Sequence, residues 1–276
     1  METSTTPFAL SARPDVTFDF SSSPAVHHRG NAYLSHVWNA LSIMAPSTER
    51  AAMRVLRNAL NNIEEPRLRG DVAAFLKQEG LHTREHRRFN ARLADLGYDT
   101  TDAIARADRA LDAYLDGADA PTAVALIIAG EHLIYALARD LLDDPRVLEG
   151  MDPEVKRLFL WHALEEVEHQ SVAHDVYIHL YGDGPGHRLR RAKALKDAGV
   201  LLGRTARDLL TDLITAEPRR NPRERFEFAR FMLVSPGYGR SVLGHTLRFV
   251  VPGFKPWENP SDLPLIDQAR RHLSVA

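Results

Sequence analysis

Four segments of this 276-residue chain set a glutamate among the apolar residues of a helix face, and two of them add a histidine three places on. They are Pro46-Ser-Thr-Glu-Arg50, Gln78-Glu-Gly-Leu-His82, Gly130-Glu-His132 and Trp161-His-Ala-Leu-Glu-Glu-Val-Glu-His169. A Glu and a His three apart lie on one helix face, so Glu79 with His82, and Glu166 with His169, can each reach one ion. His162 stands four residues before Glu166 and extends the last motif to His-x-x-x-Glu-x-x-His.

The flanking residues give these positions their meaning. Val72, Phe75, Leu76 and Leu93 share a stripe with Glu79, His82 and His86. Val124, Ile127, Ile128, Ile134 and Ala138 flank Glu131, and Ala52, Met53, Leu56 and Leu60 share the face of Glu49. His162, Glu166 and His169 fall in the stripe of Val155, Leu158, Phe159, Ala173 and Val176. Such stripes are normally core, and an unpaired carboxylate there is expensive. Four of them cannot all find arginines without spoiling the core. Two divalent cations bring four positive charges, cancel four glutamates and leave the histidines neutral. The expected ligands are therefore Glu49, Glu79, His82, Glu131, His162, Glu166 and His169, with Glu79 and Glu166 as the bridging carboxylates. Glu165 is placed to accept the other ring N–H of a histidine across the bundle. His86, a turn beyond His82, can reach the site, line a substrate pocket or pair with an acid. Asp175 is a further supporting candidate. Glu165 and Glu168 could equally face solvent, and Asp175 has a helix-surface salt bridge as its alternative.

Composition narrows the chemistry. There is no cysteine, which removes disulfides, thiolate metal sites and cysteine nucleophiles. A metal must be held by N and O donors, which favours iron, with manganese or zinc as alternatives. The net charge of −2 gives no general attraction to nucleic acid or an anionic membrane. The arginine-rich stretches Arg84–Arg92 and Arg188–Lys196 read as solvated helix faces. No apolar stretch is read as long enough to cross a bilayer, and Met1–Pro24 lacks the pattern of a signal peptide, so a cytoplasmic enzyme is expected.

The elements that must position these residues are helices. Asn31 onward is helical, and Pro46 is expected to kink or restart that helix with Ser47 or Thr48 as cap. Pro66 opens a second helix that runs to about Leu96. Residues 101–116 form a third and about 119–142 a fourth. Asp152-Pro-Glu154 is a strong start signal for a helix carrying the last motif to about Tyr181. Two or three more helices follow from 187 to 250, then an irregular Pro252-Gly-Phe-Lys-Pro-Trp257 segment. The expected organisation is a flexible tail over 1–27, a single helical domain over 28–257 and a C-terminal tail over 258–276.

One Glu from each of two helices and Glu-x-x-His from each of two others is the ligand scheme of ferritin-like di-metal bundles. The chain order Glu49, Glu79/His82, Glu131, Glu166/His169 matches it, so the expected fold is all-α: a ferritin-like four-helix bundle with additional flanking helices. The His-x-x-x-Glu-x-x-His extension resembles that of di-iron arylamine N-oxygenases. Residues from about 30 to 257 resemble more closely the family catalogued as predicted metal-dependent hydrolases. The motifs that carry this are Leu41-Ser, Pro46, Glu49-Arg50, Gln78-Glu, His82, His86, Glu131-His132, Trp161-His162, Glu165-Glu166, Glu168-His169, Asp175-Val-Tyr177 and Pro252-Gly-Phe. Thr48 and Lys255 depart from the residues common there, glycine and histidine. The resemblance implies a ferritin-like di-metal protein, with some members oxygen-using hydroxylases.

The leading expectation is accordingly a non-haem di-iron oxygenase that oxidises a small organic molecule, with Tyr135, Phe75 and Phe159 as pocket walls. No glycine-rich nucleotide or flavin motif is present, so electrons would come from an external reductase. The alternative is a two-metal hydrolase in which a bridging hydroxide attacks an ester, amide or phosphate; metal storage or a structural di-metal role stands third. A homodimer is an open alternative to the monomer.

Overall fold

A computed structural model describes residues 5–218, 221–251 and 253–273, and among them there is no strand, only an isolated bridge between His28 and Met151. Pro252 of the closing motif, residues 1–4 and residues 274–276 lie outside the described residues. The helices are α1 (Ala32–Leu60), α2 (Pro66–Asp95), α3 (Thr101–Asp116), α4 (Ala120–Asp143), α5 (Pro153–Glu168) and α6 (Val172–Tyr181). They are followed by α7 (Pro185–Ala216), α8 (Pro222–Leu233), α9 (Tyr238–Arg248) and α10 (Asp262–Leu273).

Most starts follow the local chemistry. Glu65 caps Pro66 by accepting from the amides of Arg67 and Leu68, and Asp152 does the same for Glu154 and Val155 before Pro153. Asp119 accepts from the Thr122 amide at the start of α4. The long α1 and α2 pack along each other, α4 packs on α5 and α6, and α2 also meets α5 and α6. These members are compatible with a four-helix bundle, with α7 laid against α1 and α4, and α8–α10 around the rim. One half of the core is built around Trp38, Phe89 and Trp161. The other surrounds Leu56, Val72, Phe75, Val176 and Tyr177.

Four expectations are corrected. Pro46 neither ends nor restarts a helix; it lies inside α1. A helical proline deprives the carbonyl four residues back of its N–H donor, and here the Asn90 side chain supplies one, with Nδ2 donating to the Ser42 carbonyl at 3.0 Å. Thr48 is no cap: its hydroxyl donates back to the Ala45 carbonyl at 3.0 Å. The last motif helix is two helices, broken over residues 169–171, where the Gln170 side chain takes the Val167 carbonyl at 3.1 Å.

Third, the N-terminal segment is packed onto the bundle. It buries Phe18, Phe20, Thr6 and Arg13. The arginines of α2 hold it: Arg84 donates to Val16 O at 3.1 Å, Arg88 to Phe18 O at 2.7 Å and Arg92 to Ser23 O at 3.1 Å. This part of the arginine-rich stretch is thus a ladder rather than a wholly solvated face. At the other end α10 packs on α5, with Arg270 donating to Glu168 at 2.8 Å. Fourth, α4 is long and apolar enough to cross a membrane by length and composition. It lies against α1, α5, α6, α7 and α9 and carries Glu131, which accounts for its apolar faces as core.

Candidate metal centre

Helices α1, α2, α4 and α5, with the turn after α5, bring all seven expected residues to one place. Glu49 comes from α1, Glu79 and His82 from α2, Glu131 from α4, and His162 and Glu166 from α5; His169 sits in the turn that ends α5. All are buried except His162, whose side chain is 12% exposed. Donor atoms of Glu49, Glu79 and His82 lie within 4.8 Å of one another, as do those of Glu79, Glu166 and His169, and those of His82, His162 and Glu166. A fourth group joins Glu49, His86 and His162, so the carboxylates of Glu49, Glu79 and Glu166 each belong to two groups.

The separations suit coordination. The His82 Nδ1 atom is 3.7 Å from Glu79 Oε1 and 3.6 Å from Glu166 Oε1. The His169 Nε2 atom is 3.0 Å from Glu166 Oε2 and 3.4 Å from both Glu79 Oε1 and Glu131 Oε2. Ligands about 2.1 Å from a common ion stand about 3.0–3.4 Å apart. Three atoms at the centre are buried with no hydrogen-bond partner: Glu49 Oε1, Glu79 Oε1 and His82 Nδ1. Orphaned acceptors and an imidazole nitrogen converging on one space are what a cation satisfies. The residues therefore fit a bound metal.

Each histidine is oriented by a partner on its outer nitrogen. His82 Nε2 donates to Glu165 Oε2 at 3.0 Å, and Glu165 Oε1 accepts from Arg13 at 3.0 Å. Gln78 donates through Nε2 to the Ser11 carbonyl, so its Oε1 is left to accept from His169 Nδ1 at 3.2 Å. The third chain starts at Pro46. The Ser42 carbonyl it frees takes the Asn90 amide, so Asn90 Oδ1 accepts the Ser42 hydroxyl at 2.8 Å. With its proton spent, Ser42 Oγ accepts from His86 Nδ1 at 2.8 Å, and His86 Nε2 in turn accepts from His162 Nδ1 at 2.6 Å. The inner nitrogens, His82 Nδ1, His169 Nε2 and His162 Nε2, are the ones left to bind an ion.

Electrostatics describe a centre in which protons stand in for cations. Burial, reinforced by the Glu79 charge, pushes the Glu49 carboxyl up to about 8. Burial and the Glu166 charge raise Glu79 well above its ordinary range, and burial raises Glu131. Against its own burial, Glu166 is held well below that range by His169 and His162. Burial would also raise Glu165, but the bonds from His82 and Arg13 pull it down. For His86, burial and neighbouring imidazoles depress the pKa strongly, which keeps it neutral.

Some expected residues lie elsewhere. Asp175 accepts from the backbone amide of Thr5 at 2.7 Å and from its hydroxyl, so it anchors the N-terminal segment and supports none of the centre's histidines. Tyr135 turns its hydroxyl to Asp262 at 2.8 Å, and Phe75 packs on His169 with ring centroids 4.6 Å apart; only Phe159 lines the adjoining cavity. Glu168 is buried against Arg13 and Arg270. Sequence reasoning missed Arg13 and Asn90, and gave Ser42 and Gln78 no role beyond membership of the family motifs. A proline four residues after Ser42 was the available sign that this carbonyl needed another donor.

The family comparison also points to a metal-dependent protein. The model of the family described as predicted metal-dependent hydrolase matches residues 12–260. The chain belongs to that family. Neither the curated proteins nor the solved structures give a match. Among predicted metal-dependent hydrolases, then, this member carries buried Glu/His groups able to hold a metal, and its match begins at residue 12, which takes in Arg13.

Proposed function

We propose that this member of the family is a two-metal hydrolase that cleaves an ester, amide or phosphate of a small molecule. The convergence of seven Glu and His side chains around three unpartnered polar atoms is the observation that carries this reading. Glu49, Glu79 and His82 would hold one ion, and Glu131, Glu166 and His169 the other, with Glu79 and Glu166 shared and His162 completing the set. Two divalent cations there would polarise a substrate oxygen and lower the pKa of a bound water. The chain's own part is orientation: Glu165, Gln78 and His86 fix the three imidazoles, and the packed core excludes bulk water. Thr83 donates to Glu49 Oε2 at 2.6 Å, which leaves Oε1 to face the centre.

A second reading, a di-iron oxygenase served by an external reductase, is favoured by one observation. The cavity against the centre is walled by apolar side chains with no lysine or arginine among them, which suits oxidation of a C–H bond. The test loads the chain with zinc, manganese or ferrous iron and assays 1-naphthyl acetate in air and under argon. Hydrolysis that persists without O2 and is lost in Glu79→Gln supports the proposal. No hydrolysis with any metal, together with O2 consumption by the reduced iron form, overturns it in favour of the second reading.

A further inference from the structure

Beside the centre, between α1, α4, α5, α7 and α9, lies a cavity of about 300 Å³. Its ionisable lining groups are Glu49, His86, His162 and Glu166, which all belong to the centre and its supports. The other polar atoms on its wall are already engaged. The Tyr238 hydroxyl donates to Leu137 O at 3.1 Å, Trp38 Nε1 to His28 Nδ1 at 2.9 Å and the Thr48 hydroxyl to Ala45 O. The rest of the wall is aliphatic or aromatic. A carboxylate, phosphate or ammonium placed in the body of this space would have no counter-charge, and desolvating it uncompensated is costly.

The way in is equally specific. Of the residues lining the cavity, the exposed ones are Gly199 and Gly203, successive positions on one face of α7. A glycine in a helix interior costs about 1 kcal/mol relative to alanine. Neither is needed for a positive φ, and a Cβ at either would meet nothing within 4 Å. What a side chain there would do is narrow the opening. At the opposite end the unpartnered Glu49 Oε1 faces the centre.

Resting on the two-metal reading, we propose that the substrate is an uncharged, mainly apolar small molecule that enters over Gly199 and Gly203 and presents its reacting group to Glu49, His162 and Glu166. A cavity of about 150 Å³ accepts benzene, so this one accepts a body about the size of two fused rings. The phosphate option is thereby set aside in favour of a neutral ester or amide.

The experiment measures binding of naphthalene and of 1-naphthalenesulfonate, the same ring with a charge, to the manganese-loaded full chain, alongside metal content. Naphthalene is expected to bind at least tenfold more tightly than the sulfonate. Gly203→Phe should weaken naphthalene at least tenfold with metal content unchanged. Gly203→Ala and Ala206→Leu, milder changes that the helix tolerates, should weaken it by smaller factors and keep the proposal testable if the phenylalanine variant fails to fold. Equal binding of the sulfonate, or naphthalene binding indifferent to all three substitutions, overturns the assignment. A chain that takes up no metal yet binds naphthalene through α7 refutes the two-metal reading while sparing the cavity's selectivity.

Discussion

Replacing Arg13 by alanine tests whether the centre depends on the segment ahead of α1. Arg13 is 8% exposed and donates to Glu165 at 3.0 Å and to Glu168 at 2.8 and 2.7 Å, both carboxylates being essentially inaccessible. Removing one partner of a buried ion pair costs about 3–5 kcal/mol, because the other charge stays buried. Arg270 remains on Glu168, whereas Glu165 is left with only His82, so the lower end applies: about 3 kcal/mol. Glu165 is held below the ordinary carboxylate range, after burial is overcome, by His82 and Arg13 together. Such a depressed acid stabilises the fold above its unfolded pKa and loses that contribution as pH falls through its folded value. The loss in Arg13→Ala should therefore be largest at neutral pH and shrink in acid. His82 loses its fixed partner, and supporting residues of this kind are worth about 10–100-fold in metal affinity. Urea unfolding of the metal-free protein and competition against a chelating indicator measure the two effects. Arg13→Lys keeps the charge without the planar fork and should recover only part of each. An alanine variant within about 0.5 kcal/mol of the parent, with unchanged metal affinity, would show that the leading segment does not support the centre.

Metal analysis of the loaded chain should approach two ions, and Glu131→Ala should lower it by favouring loss of the ion shared with His169. Asn90→Leu leaves the Ser42 carbonyl without its donor and should cost about 1–3 kcal/mol in thermal or urea unfolding. Glu49, raised from 4.5 to about 8, keeps its proton in the folded metal-free chain where the unfolded chain has lost it. Metal-free stability should therefore fall as pH rises between those values, at up to about 1.4 kcal/mol per unit, and level off above. Metal uptake at pH 7 should release that proton, visible with an indicator dye in weak buffer.

How much of this was legible in the sequence depended on range. Glu65-Pro66 and Asp152-Pro153 announce helix starts because cap and proline act on adjacent amides. Glu79 with His82, and Glu166 with His169, could be assigned to one interior because their spacing fixes a shared face. Pro46 misled because a local rule was overridden by Asn90, a residue 48 positions from the carbonyl it rescues. Arg13 carries no periodic signal; its role exists only once α5 lies beside it, 152 positions away from Glu165. The arginines at 84, 88 and 92 read as solvated because their acceptors are backbone carbonyls of a segment with no regular structure.

That long-range clasp also orders events during synthesis. Residue 13 leaves the ribosome some 150 residues ahead of its partners on α5, and closing so long a loop is slow. Until then His82 and His169 lack the outer grip supplied through Glu165 and Gln78. The proposed centre can accordingly be complete only after α5 has been made and the leading segment has docked on it.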